Sequence, residues 1–544
     1  MSAAPPIAVL QTHEVGNQPG PLADVNLYLT DVALRDAVRR EAGDWLDVRC
    51  TSLGAAVGSS EVLALGEAAN RNPPTLMSFD RWGRRLDEVA FHPSYHALMA
   101  LAMEHRIHDI AWRDARPGRH VAHAAMLAVF TQAEAGVMCP MNMTYAAVPA
   151  LRAHPAGRPW VERLVGGRYD APLRPIGEKG GVTLGMAMTE KQGGSDVRAN
   201  TTRAEPDTGA YRLTGHKWFC SAPMSDGFLT LAQAPGGLTC FLVPRVLPDG
   251  SRNAIQLMRL KDKLGNKSNA SAEIEYHGAY AERLGDEGAG VKTIIEMVHH
   301  TRLGTIAGTL GIMRMALAQA FHHCASRRAF QKALIDQPAM AGVLADLAVE
   351  YEASAVMVVA VAKAFDAEDA PGRAFARLAV ALSKYLLTKR CATFVVECME
   401  CHGGNGYVEE GPLPRLYREA PLNAIWEGSG NVIALDVLRT LAREPLAVET
   451  YAAAIAEACG ASAAFDRAAE ATLAEARRPC PEAGARRLVE RLALVLQGAL
   501  LLRHAPTAVA DAFCATRLDD RAFTYGAGAL SAETIAAILG RHRL

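Results

Sequence analysis

Asn423-Ala-Ile-Trp-Glu427-Gly-Ser-Gly-Asn431, toward the C-terminal end of the chain, sets one carboxylate between a large apolar ring and a Gly-Ser-Gly loop. Beside Trp426 a carboxylate is poorly solvated, so its pKa rises and it suits the role of base toward a weak carbon acid. The glycines let backbone approach a flat ligand closely. Far upstream stands a second unusual stretch, Met188-Thr-Glu-Lys-Gln-Gly-Gly-Ser195-Asp196. Its small and hydroxyl residues suit contacts to phosphate or to the polar edge of a flat ring.

Composition frames these two stretches. A chain of 544 residues has room for several domains and an ample core. Net charge is −1, so the whole chain is not an electrostatic nucleic-acid binder. The start, Met-Ser-Ala-Ala-Pro-Pro, lacks a basic segment followed by an apolar run, so no secretory signal is expected. The apolar run Ala355–Ala362 ends at Lys363 and is too short to span a bilayer. The expectation is a cytoplasmic protein with no membrane partner, its 11 cysteines reduced thiols.

The chain divides into four parts by pattern, and the apolar period changes twice along it. Residues 1–180 read as helices separated by Pro/Gly loops such as Arg116-Pro-Gly118. Over 181–288 the period becomes two, as in Ala210-Tyr-Arg-Leu-Thr214, with turns at Pro206–Gly209, Pro235–Gly237 and Pro248–Gly250. From 289 to 442 long helices return; Val291, Ile294, Ile295 and Val298 stand at helical spacing. Residues 443–544 are rich in Ala, Leu and Arg and again helical. The expected class is α+β, mainly α: an N-terminal helical domain, a small central β-barrel or sandwich, a helix bundle and an additional helical domain.

Several tempting signals carry no chemistry. Cys398-Met-Glu-Cys401-His402 matches covalent haem attachment, but that needs export, and the pentapeptide ends an apolar helix at Gly403-Gly404. Glu296-Met-Val-His299 has the Glu-x-x-His spacing of a di-iron bundle but no second copy, and no metal is expected. No G-x-G-x-x-G follows a strand, and no Walker motif is present.

Together the stretches around Ser195 and Glu427 resemble the flavin-dependent acyl-CoA dehydrogenases. Thr12-His-Glu-Val-Gly-Asn-Gln-Pro19, Asn26-Leu-Tyr-Leu29, Leu264-Gly-Asn-Lys-Ser-Asn-Ala270 and Leu416-Tyr-Arg-Glu419 resemble, more narrowly, the AidB alkylation-response branch of that superfamily. The resemblance implies FAD between the β-domain and the bundle. It implies that Met186, Met188, Thr189, Gly194 and Ser195 form the flavin loop, with Thr189 at the ring and Ser195 at the pyrophosphate. In His216-Lys-Trp-Phe-Cys-Ser221 it puts Phe219 against the ring, with Cys220 beside it and the Ser221 hydroxyl at N5; Trp218 is the alternative ring contact. Trp426, Gly428, Ser429 and Asn431 complete the expected flavin contacts.

Arg327-Arg-Ala-Phe330 resembles the family segment whose Arg reaches a neighbouring subunit's pyrophosphate, with Gln337 assisting. Gly404 falls in the same cross-subunit site, so a homo-oligomer, a dimer of dimers, is implied. Glu427 matches the family's catalytic base for dehydrogenation of a short or branched, isovaleryl-like acyl-CoA. Arg302 stands where some relatives carry the base, facing the acyl-CoA or the bundle. Nitroalkane oxidases, a related class, use Asp at the base position, so Glu427 favours the acyl-CoA version.

The AidB resemblance also implies double-stranded DNA as a partner, with dehydrogenation then residual. The tail is neutral: from residue 441 on, 12 Arg and no Lys face 12 Asp plus Glu. Arg439, Arg478, Arg487, Arg517 and Arg521 are the candidate phosphate contacts.

Overall fold

The computed structural model describes residues 4–543. Helices α1 (Val32–Ala42), α2 (Asp44–Val57) and α3 (Ser60–Arg71) open the chain. Asp31 starts α1 by accepting from the Leu34 amide, and Ser59 caps α3 in the same way through Val62. Pro73-Pro74 then ends helical winding. A hairpin follows, β1 (Thr75–Phe79) with β2 (Arg85–Ala90), in a region whose sequence reads as helical. Its turn is built by the Asp80 carboxylate, which accepts from the amides of Trp82 and Arg84, and by Gly83 at φ +82°. Helices α4 (Pro93–Glu104), α5 (Ile110–Arg113), α6 (Arg119–Thr131), α7 (Met138–Arg152) and α8 (Arg158–Leu164) complete this part.

Seven strands follow: β3 (Leu184–Ala187), β4 (Arg203–Asp207), β5 (Ala210–Ser221), β6 (Gly227–Ala234), β7 (Gly237–Pro244), β8 (Ile255–Leu260) and β9 (Ser271–Leu284). Pairings β4–β5, β5–β9, β9–β7, β7–β6 and β6–β4 close a ring, with β3 added to β6 and β8 to β9. β6 is buried over nearly its whole length because both of its faces are covered, and its sequence is mostly apolar, interrupted by Thr230 and Gln233. The β1–β2 hairpin covers the free side of β8: the Leu257 amide donates to Asp87 Oδ1 (2.9 Å) and its carbonyl accepts from Arg85 (3.4 Å). That blunts an exposed strand edge.

The helix bundle is α9 (Gly290–Ser326), α10 (Pro338–Ala364), α11 (Ala370–Glu400), α12 (Leu413–Glu419) and α13 (Gly430–Arg443). From Thr301 on, α9 is buried on nearly every side, because α6, α7, α10 and α11 all pack on it. Helices α14 (Pro445–Ala456), α15 (Ala463–Ala476), α16 (Ala485–His504), α17 (Thr507–Phe513) and α18 (Ala532–His542) form the tail, which rests on α10 and α11. Buried Arg517 fastens it by bonding Asp346 and Glu350 of α10. Among the described residues no helix is long and apolar enough to cross a membrane.

Candidate active site between the barrel and the bundle

Glu427 lies in the loop between α12 and α13, its backbone in the left-handed region at φ +57°. That conformation is uncommon for a residue with a side chain. The loop is held in place from three directions. Asn423 donates to Thr309 of α9 (3.0 Å), Arg302 donates to the Glu427 carbonyl (3.2 Å), and Lys384 of α11 donates to the Gly428 carbonyl (2.5 Å). Thr301 donates its hydroxyl to Glu427 Oε2 (2.7 Å).

Burial pushes the Glu427 carboxyl above the usual range, while the Thr301 hydroxyl and the Lys384 and Arg302 cations pull the other way. Burial likewise pushes Lys384 down to about 7. Arg302 is spoken for: it pairs with Asp436 (2.9 Å), which Arg377 also meets (3.4 Å). Burial and these two arginines hold His299 down to about 3, hence neutral. The result is a raised carboxylate steadied by a hydroxyl and an adjacent cation, the electrostatic make-up of a general base.

The second stretch meets the first through apolar packing. Met186, Met188 and Trp426 lie partly buried against one cluster that holds Cys139, Met143, Ile294 and Met297. The Trp426 indole N–H is buried and has no hydrogen-bond partner among the described residues. The loop after β3 is anchored by a buried ion pair that its motif does not announce. Glu190 accepts from Lys217 of β5 (2.9 Å) and from the amides and hydroxyls of Thr201 and Thr202. Burial opposes ionisation, yet Lys217 and these donors hold Glu190 far below the carboxylate range. Thr189 accepts from the Trp218 amide (2.8 Å). A Cβ at Gly194 would stand 2.3 Å from the Thr189 hydroxyl, so glycine is needed there. Ser195 is exposed at the loop's tip.

On β5, Trp218 is covered by Lys261, whose ammonium sits 3.3 Å from the ring centroid. Phe219 is 51% exposed and open to a ligand, and Ser221 is half-buried. Cys220 corrects the sequence reading. Its side chain points into the barrel core with Ala187, Phe228 and Ile274, so its thiol is closed to a cofactor. An exposed aromatic, a glycine-and-hydroxyl loop and an unpartnered indole N–H are a donor set that fits a flat ring carrying polar edges.

A further group gathers at the end of α9. Arg327 donates to the Asn17 carbonyl (2.5 Å), Phe330 is 92% exposed, and Gln337 donates to the Ala329 carbonyl (2.9 Å). Asn405 reaches Gln18 (3.4 Å), so residues 17–18 bridge Arg327 to the exposed turn of Gly404. No hydrogen bond among the described residues links this group to the Glu427 loop. Ser429 and Asn431 are exposed at the start of α13, and Gly428 has φ +103°.

Of the two alternatives the sequence left for Arg302 the structure takes the bundle, and Arg517 departs from the sequence reading. Arg302 is buried with its guanidinium given to Asp436 and the Glu427 carbonyl, so it braces the Glu427 loop. Arg517 is enclosed by Asp346 and Glu350 and cannot meet a DNA phosphate. Arg439, Arg487 and Arg521 are exposed but pair with Asp436, Glu475 and Glu490. Arg478 is exposed with no carboxylate within 4.0 Å among the described residues. Sequence reasoning missed Lys384, Asp436, Glu190 and Lys217. Only Lys384 left a signal, a lone charge inside the apolar stretch Leu378–Leu387.

Residues 17–171 match the family model of the adaptive response protein AidB N-terminal domain. Residues 185–279 and 288–442 match the middle and C-terminal domains of acyl-CoA dehydrogenases. The chain is 47% identical to the putative acyl-CoA dehydrogenase AidB of Escherichia coli, over 94% of this chain and 95% of that protein. It is 31% identical to acyl-CoA dehydrogenase family member 11 of Caenorhabditis elegans, over 82% of this chain and 78% of that protein. The crystal structure of C. elegans ACDH-11 in complex with C11-CoA superposes with a TM-score of 0.83 at 27% identity, covering 99% of this chain and 95% of that one. Barrel, bundle and these likenesses agree: the chain belongs to the acyl-CoA dehydrogenase family, in its AidB branch, and is an FAD-dependent oxidoreductase.

Proposed function

We propose that the protein dehydrogenates a short or branched, isovaleryl-like acyl-CoA, with Glu427 taking the α-proton. The observation that carries this reading is the raised carboxylate of half-buried Glu427, held by Thr301. FAD, when bound, supplies the acceptor for the hydride leaving the β-carbon, a capacity no side chain has. The chain's own residues do the rest. Thr301 and the left-handed backbone aim Glu427, and Trp426 with the apolar cluster excludes water from the proton transfer. Thr189, Gly194, Ser195, Phe219 and Ser221 would hold the flavin, with Trp426, Gly428, Ser429 and Asn431 on the other side. Arg327, Phe330, Gln337 and Gly404 would complete the site of a neighbouring copy in a dimer of dimers. Support for a thioester as the substrate class comes from the C11-CoA bound by the C. elegans neighbour. The test is anaerobic bleaching of the purified yellow protein by a panel of acyl-CoA thioesters. Bleaching by at least one short or branched member is expected; no bleaching across the panel would remove the dehydrogenase reading.

A second reading, binding of double-stranded DNA by the tail, keeps Arg478 as its support, because that guanidinium is exposed and meets no carboxylate within 4.0 Å among the described residues.

A further inference from the structure

Five arginines are buried among the described residues: Arg245, Arg302, Arg314, Arg415 and Arg517. Four of them meet a carboxylate, respectively Asp436, Asp31, Glu67 and Asp346 with Glu350 for the last four. Arg245, at the end of β7, meets none within 4.0 Å. It donates one N–H to the Asp87 carbonyl (2.8 Å), while its Nε is buried with no partner. A buried cation without a counter-charge is expensive, and burial pushes this guanidinium below its usual range.

Arg245 lines a cleft of about 180 Å³ where the β1–β2 hairpin meets the barrel. At roughly 30 Å³ per water that is room for a small polyatomic ion with some of its hydration. Arg85, Asp87, Arg252, Asn253 and Gln256 line it too. Arg85 is paired with Asp87 (2.7 Å) and Arg252 with Glu88, which leaves one positive charge, that of Arg245, unbalanced. Its other ionisable neighbours, the Cys220 thiol and the Tyr276 phenol, are both pushed up by burial, so they stay neutral. Asp87 itself is wound to φ +49°, the conformation in which its carbonyl meets Arg245 and its carboxylate meets Arg85 and Leu257.

We propose that this cleft binds a small oxyanion of the phosphate class, recognised by Arg245 with Arg252 at the rim. The ligand supplies the missing negative charge, and charge-assisted N–H donation from a guanidinium suits tetrahedral oxyanions. The site is separate from the Glu427 loop and does not depend on the dehydrogenase reading.

The test is isothermal titration of the full-length, FAD-loaded protein with inorganic phosphate and with sulfate, against chloride at matched ionic strength. Saturable binding of phosphate and sulfate, a rise in melting temperature, and an unchanged flavin spectrum are expected. Arg245→Met should weaken binding at least tenfold while melting no lower than wild type in phosphate-free buffer, because an unpaired buried charge is gone. Arg252→Gln, an exposed change that leaves the core alone, should weaken it severalfold and decides the matter if Arg245→Met does not fold. No saturable heat with the wild type, a response equal to that of chloride, or wild-type affinity in Arg252→Gln would overturn the proposal.

Discussion

Thr301 on α9 and Glu427 in the α12–α13 loop are joined by a 2.7 Å hydrogen bond from hydroxyl to carboxylate, so a buried helix aims the side chain of a loop residue. Glu427→Gln keeps size and hydrogen bonding but cannot accept the α-proton. Flavin should stay bound while reduction by any active acyl-CoA falls at least a thousandfold. Stopped-flow absorbance on one substrate checks this, and undiminished reduction would move the base elsewhere.

Thr301→Val removes a donor that favours the ionised carboxylate. Losing a hydrogen bond to a charged group is worth about 1.5–3 kcal/mol. That corresponds to an upward pKa shift of about 1–2 units at 1.36 kcal/mol per unit. Proton abstraction needs ionised Glu427, so activity is present above its pKa and lost below it. The acid limb of flavin reduction should therefore move to higher pH by that amount, with the high-pH plateau largely kept. Lys384→Met should move the limb in the same direction, because that cation also favours the carboxylate.

Glu190 and Lys217 are both fully buried. Removing one partner strands the other's charge, which costs about 3–5 kcal/mol. Glu190→Gln and Lys217→Met should each lower the denaturant midpoint and loosen FAD, since the Thr189–Ser195 loop hangs on this pair. The double variant should lose less than the sum of the two single losses; strictly additive damage would make the pair energetically silent.

Glu419 gives a pH signature of stability. Burial, with Glu134 nearby, pushes its carboxyl up to about 7, against the pull of Arg415, Lys263 and the Asn266 amide. The folded form thus holds a proton that the unfolded chain releases at an ordinary carboxylate pKa near 4.5. Stability from this group is full below about pH 4.5 and is lost as pH rises through about 7. Glu419→Gln should flatten the decline of the melting temperature over that window.

For the tail, a salt titration of binding to unrelated duplexes is decisive. Each phosphate neutralised contributes about −0.9 to the log–log slope. Arg478→Glu should flatten the slope by about one unit per site, whereas Arg517→Met should lower the melting temperature through its lost pairs with Asp346 and Glu350. No binding at low salt would leave the dehydrogenase reading alone.

The order of helices, barrel and bundle was legible because it is written in changes of apolar period, and the stretches Trp426-Glu427-Gly428 and Gly193-Gly194-Ser195 stood out because each is contiguous. What was not legible depends on partners far apart in the chain. Glu190 and Lys217 are 27 residues apart and look like solvated charges until the barrel closes over them. Arg302 reads as an available cation until Asp436, 134 residues on, claims it. Arg517 is the same case with α10. The hairpin at 75–90 did leave a local trace, since Trp82-Gly83 separates two short alternating runs. The helical surroundings on both sides masked it. Cys220 was misassigned because a bulge between Lys217 and Cys220 resets which residues face inward.

The hairpin's grip on Leu257 also has a consequence in time. Arg85 and the carbonyl it meets are 172 residues apart, so at 5–20 residues per second the hairpin leaves the ribosome roughly 10–30 s before its partner strand. Through that interval Trp82 and Phe79, which remain 66% and 55% exposed even in the finished fold, have no barrel to lean on. The N-terminal helices must therefore wait, incomplete, for the middle of the chain, and a nascent polypeptide stalled before residue 257 should be the species that chaperones hold.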